Sequence, residues 1–212
     1  VADLGKENLP ALRKGIVNLE RHIDNMREHF GLPCVVSINH RAEDTEAELK
    51  ELQQHAAHQG VKVITARHYS EGSAGAVEVA KEVVRLCEQP NKFHFLYEDS
   101  LPLWEKMQAI ATRIYGAADI SADASVRAQI RTLQDGGYGH YPVCVAKTQY
   151  SFSTDVKLRG APSGHIVNVR EVRLAAGAEF IVMICGDIMT MPGLPSAPAA
   201  CAIDLDASGN IV

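Results

Sequence analysis

The segment CVVSINHRAEDTEAELKELQQHAAHQGVKVIT (residues 34–65) begins and ends on short apolar runs. CVVSI is continuous rather than alternating, which suits a strand covered on both faces, as in a parallel sheet. VKVIT reads as a second strand. Between them, DTEAELKELQQHAAHQG has the marks of a helix. Asp44 offers a cap, Thr45 opens the first turn, acidic side chains follow it, and Gly60 ends it. Strand, helix, strand in that order predicts a parallel pair whose two tips open at the same sheet edge.

The flanks extend the pattern. Upstream, Leu12, Ile16, Leu19, Ile23, Met26 and Phe30 fall at steps of three and four, one apolar stripe along a helix that Gly31 and Pro33 stop. Downstream, AGAVEVAKEVVRLCEQ is a further helix, closed by Pro90. Residues 1–90 therefore read as an α/β layer with a parallel sheet and flanking helices, and residues 91–212 as a smaller α/β domain. In that second part FHFLY is expected as a short strand. Leu103, Met107, Ile110 and Ile114 mark a helix, and SADASVRAQIRTLQDGGYG is another, ended by Gly136 and Gly137. YPVCVAK, HIVNVREVRL and EFIVMICG are strand candidates. The stretch GDIMTMPGLP (residues 186–195) cannot continue a strand, because Pro192 and Pro195 have no N–H for a ladder; an ordered, irregular cover is expected there.

Composition narrows the function. The 212 residues carry a net charge of −5 with no basic block, which argues against a nucleic-acid surface. No apolar run approaches membrane-spanning length, and the first residues lack the basic and apolar regions of a secretory signal. Cys34, Cys87, Cys144, Cys185 and Cys201 are scattered, odd in number and mostly within apolar runs, so reduced core thiols of a cytoplasmic protein are expected. His and Cys never fall at zinc-ligand spacing.

Ligands of an open parallel sheet bind beyond the carboxyl ends of its strands. After the first strand come Asn39, a donor and acceptor in one group, and Arg41. These suit a ligand loop or, equally, a polar turn capped by Asp44. After the second strand, Arg67, His68, Tyr69 and Glu71 crowd a loop with Gly72 and Gly75, where an aromatic side chain can stack on a flat ring or pack on a neighbour. Lys147, Thr148, Gln149 and Tyr150 either line a cleft or tie loops together. No nucleophile elbow, HExxH motif or GxxxxGK[ST] phosphate loop occurs in the 212 residues.

Six blocks in order, NLERHIDNMREHFGLPCVVSIN, DTEAEL, FLYEDSLPLWEKMQAIATRIYGA, GYGHYPVCVAKTQYSFSTD, REVRLAAGAEFIV and GDIMTMPGLPSAPAA, resemble the C-terminal part of the formate–tetrahydrofolate ligases. The resemblance implies an ATP-dependent ligase that joins formate to tetrahydrofolate through formyl phosphate to give 10-formyltetrahydrofolate. It also implies a P-loop-NTPase-like large domain ending near residue 90, small-molecule substrates, and a homo-oligomeric full-length enzyme. ATP with Mg would be held mainly by an N-terminal part not contained here. The chain is thus expected to be a C-terminal portion, about two-fifths of such an enzyme and inactive alone, with no catalytic or metal residue of its own. The implied folate-binding residues are Asn39, Arg41, Tyr69, Glu71 and Gly72. The family sandwiches the pterin between a Phe and a Trp; Arg41 and Tyr69 stand at those positions, and Ser73 replaces a second loop glycine. A competing reading keeps the fold but makes the chain a divergent homologue, with altered or lost folate binding, that serves as a binding or assembly module. An unrelated flavodoxin-like binding domain is a third reading.

Overall fold

The structure is a computed structural model that describes residues 5–188 and 196–210. It begins with helix α1 (Leu9–Asp24), whose first turn is capped by Asn8: the side-chain oxygen accepts from Ala11 N at 3.0 Å. The helix runs on into a π-turn over Asn25–His29. Strand β1 (Val35–Asn39) follows, then helix α2 (Glu46–His58) and strand β2 (Lys62–Ala66). The strands pair in parallel, Val35 opposite Lys62 and Asn39 opposite Ala66, as the order of elements requires. The cap of α2 is Thr45 rather than Asp44. The Thr45 hydroxyl accepts from Glu48 N and Glu48 returns to Thr45 N, a reciprocal capping box that satisfies two otherwise orphaned donors.

Short helix α3 (His68–Glu71) leads through a 3₁₀ turn to helix α4 (Val77–Cys87). Glu82 of α4 is buried, and it holds the layer together by accepting from Lys62 of β2 at 2.8 Å and from Arg85 at 2.5 Å. Hydrogen bonds from Arg85 and Lys62 push its carboxyl down to about 2.

The remaining elements are helix α5 (Leu103–Ala109), which ends in a second π-turn, β3 (Asp119–Ala122), α6 (Ala124–Asp135), β4 (Val143–Ala146), β5 (Ile166–Ala175) and β6 (Phe180–Cys185). They build a mixed sheet in the order β3-β5-β6-β4. β3 runs parallel to β5 and β4 parallel to β6, while β5 and β6 are antiparallel. Val167, Val169 and Val172 of β5 alternate inward, and Ile181 and Met183 of β6 join them. Leu103 and Met107 of α5 and Val126 and Ile130 of α6 close this core. Lys106 is buried beside it with no carboxylate partner among the described residues. Its ammonium donates to the carbonyls of Gly139 at 2.8 Å and Tyr141 at 3.1 Å, and burial lowers its pKa.

Three further expectations need correction. FHFLY is not a strand: Phe93 and Phe95 pack edge to face at 5.2 Å and stay exposed, and the Tyr97 hydroxyl accepts from Val143 N at 3.0 Å at the flank of β4. Ser121 and Ala122, where the expected helix begins, instead end strand β3. The thiols are free, but only Cys185 is buried; Cys34 is half-buried, and Cys87, Cys144 and Cys201 are exposed. Cys144 faces outward because β4 is an edge strand whose alternation sends it to solvent. Of the stretch at 186–195, residues 189–195 lie outside the described residues.

Candidate functional site

The loops after β1 and β2 leave the same end of their parallel pair. Asn39 closes β1 opposite Ala66, the last residue of β2, and His40 N donates to Ala66 O at 3.1 Å. The first loop then turns back on itself. Asp44 Oδ2 accepts from Arg41 N at 2.8 Å, and Arg41 O accepts from Asp44 N at 3.1 Å. Asp44 therefore clasps this loop, which leaves the helix cap to Thr45. The Arg41 side chain projects beyond the clasp.

The second loop is clasped by its own backbone. Arg67 N donates to Gly75 O at 3.0 Å, and Arg67 O accepts from Ser70 N and Glu71 N. A Cβ on Gly75 would lie 2.4 Å from the Arg67 carbonyl carbon, so only glycine allows this approach. Gly72 (φ 59°, ψ −144°) reverses the chain between α3 and the 3₁₀ turn, in a backbone region that disfavours side chains.

Between the loops lies a cleft of about 680 Å³, within the range of small-molecule sites. Asn39, Arg41 and Tyr69 line it together, with His40, Glu43, Arg67 and His68. Glu71 and Gly72 do not line it; Glu71 closes α3 and Gly72 follows at its C-terminal cap. Tyr69 is 92% exposed, so its ring presents an open face. Among the described residues neither the Arg41 nor the Arg67 guanidinium has an ion-pair partner, and the Asn39 carboxamide makes no hydrogen bond. His40 and Arg67 are the first residues past the two strands; Arg67 belongs to the crowded second loop already read from the sequence, and His40 is the lining residue whose position just past β1 was the available signal. Also among the described residues, no three His, Cys, Asp or Glu side chains gather to hold a metal ion. No helix there is long and apolar enough to cross a membrane.

A family model described as formate–tetrahydrofolate ligase matches residues 1–212. The chain belongs to the formate–tetrahydrofolate ligase family. The formate–tetrahydrofolate ligase of Methylibium petroleiphilum is 61% identical over 216 residues, covering 100% of this chain and 38% of that protein. Those of Methylococcus capsulatus and Cereibacter sphaeroides are 57% and 56% identical, each over 99% of the chain and 38% and 37% of their own lengths. This ligase-family chain thus spans about 38% of the length of such relatives.

Proposed function

We propose that this chain is the C-terminal portion of an ATP-dependent ligase that joins formate to tetrahydrofolate, and that the cleft between the β1 and β2 loops is its folate site. The observation that carries the reading is the meeting of Asn39, Arg41 and Tyr69 in one cleft beyond the carboxyl ends of two parallel strands. The pterin lies flat between the Tyr69 ring and the Arg41 guanidinium, a planar cation able to stack on a π-system. Asn39 has the donor and acceptor to meet the polar edge of that ring. Residues 1–90 end a P-loop-NTPase-like large domain, and residues 91–212 form the smaller domain. ATP with Mg is held by the phosphate loop of a preceding part, since the 212 residues contain none. The whole enzyme works in the cytoplasm as a homo-oligomer.

The test is formate- and ATP-dependent formation of 10-formyltetrahydrofolate by the complete gene product, with none by the 212-residue chain. A complete product that binds tetrahydrofolate but never forms the formyl adduct refutes the ligase reading. A second reading has an observation of its own. Arg41 and Arg67 bring to the cleft two guanidiniums with no ion-pair partner among the described residues, which suits a module that has exchanged the pterin for an anionic ligand. Loss of tetrahydrofolate binding with retention of an anion would favour it.

A further inference from the structure

The residues that follow β4 both fix their own loop and line a second cleft. Lys147 donates to the carbonyls of Thr148 at 3.0 Å, Ser153 at 3.3 Å and Ser151, and its ammonium sits 4.8 Å from the centre of the Tyr115 ring. No carboxylate pairs with it among the described residues. Carbonyl dipoles orient an ammonium but carry no net charge, so the positive field of this half-buried group remains uncompensated. Beyond the carboxyl end of β4, between α1 and residues 147–152, a cleft of about 540 Å³ opens onto it.

The lining has a consistent chemistry. None of its ten residues is Asp or Glu. Behind the lining, the Arg21 guanidinium is a second cation, 5.6 Å from the centre of the Phe152 ring that forms one wall. His22, Tyr115, Gln149 and Tyr150 make no side-chain hydrogen bond to another described residue, so their polar atoms are available to a ligand. Three of these are aromatic, and with Phe152 they offer ring faces on several sides; His22 and Phe152 already stand 4.9 Å apart. The position matches the general one for ligands of parallel strand pairs, because β4 and β6 run side by side and end here. No residue lines both this cleft and the one at Asn39 and Tyr69.

We infer that this cleft is a second binding site, for a small flat ring bearing an oxyanion, either a carboxylate or a phosphate. The ring lies against Tyr115, Tyr150 and Phe152, and the anion takes hydrogen bonds from His22 and Gln149 in the field of Lys147 and Arg21. Lys147 positions the loop rather than bonding the ligand, because its donors are already used.

The test is a two-dimensional ¹⁵N-correlation NMR titration of the 212-residue chain with benzoate, phenyl phosphate and benzamide. Benzoate and phenyl phosphate separate the two anion sources; benzamide is the uncharged control. Shifts should gather at residues 147–152 and around His22. Benzamide should bind about tenfold more weakly than the better anion, and His22→Ala with Gln149→Ala should weaken that anion by a similar factor. Arg41→Ala should leave it unchanged. The inference is overturned if benzamide binds as well as the anions, if shifts gather at residues 39–41 and 67–70 instead, or if neither anion binds at about 20 mM. Lys147 is left intact throughout, since its removal would strip the donor from its carbonyls and confound binding with unfolding.

Discussion

Replacing Tyr69 by Ala isolates the stacking surface from the fold. The ring is 92% exposed, so the folded state gains almost nothing from it, and truncation should change stability by no more than about 0.5 kcal/mol. A bound pterin changes the balance. Full burial of a tyrosine removes roughly 150–250 Å² from water. One covered face is about half of that, near 100 Å², and at about 25 cal/mol per Å² it contributes roughly 2.5 kcal/mol. Part of this returns because alanine and the pterin still exclude some water. A net loss of about 1.5 kcal/mol corresponds to a rise of roughly tenfold in Kd. Calorimetric titration of tetrahydrofolate into the complete protein and its Tyr69→Ala variant reads this directly, with Tyr69→Trp expected to retain or tighten binding. A change below about threefold, with the thermal midpoint unmoved, would refute the stacking role. A large drop in the midpoint would refute the premise that the ring is idle in the free protein.

Arg41→Phe should tighten tetrahydrofolate in the same titration by restoring an uncharged stacking face. If it fails to do so and an anion is lost instead, the second reading of the cleft is favoured. Glu82 is held well below its ordinary range by Arg85 and Lys62, so its contribution to stability is complete above the ordinary range and is lost as pH falls towards about 2. Urea unfolding of wild type and Glu82→Gln should accordingly differ most near neutrality and converge in strong acid. Lys106→Ala should destabilise by about 3 kcal/mol, from two carbonyls left without donors and the cavity beneath them, and Lys106→Met should lose less by keeping the stem. A thiol reagent on the native chain should modify Cys87, Cys144 and Cys201 quickly and Cys185 last, since burial pushes that thiol up to about 12.

The β1–α2–β2 unit was readable because three independent local signals agree there: an unbroken apolar strand, a polar loop with caps, and a glycine stop. β3 gave no such signal. It is four residues long with a single buried residue, Ile120, and its partner β5 lies more than forty residues downstream. FHFLY misleads for the opposite reason: its alternation imitates a strand, yet its rings pack on each other and Tyr97 serves β4 through its hydroxyl. The cysteines mislead because an apolar run still has an outer face: Cys144 takes it on the edge strand β4 and Cys87 at the end of α4. At the cleft, topology alone put Asn39, Arg41 and Tyr69 together. Glu71 and Gly72 fell out because α3 is a full turn long and carries the chain away from the opening, a detail set by the Arg67–Gly75 backbone contact, which no residue pattern announces.

Among the described residues, β1 and β2 have no sheet partner but each other. Each strand spends part of its N–H and C=O groups on the other and turns the rest outward, like a zip closed on one side only. The mouth of the Arg41–Tyr69 cleft is spanned by this one ladder, whose strands sit about 4.8 Å apart. Whatever extended segment docks on either open flank therefore stiffens the jaws from behind without touching what they hold. Linkage makes the effect mutual: a ligand that fixes the two tips must favour the added strand by the same factor by which that strand favours the ligand.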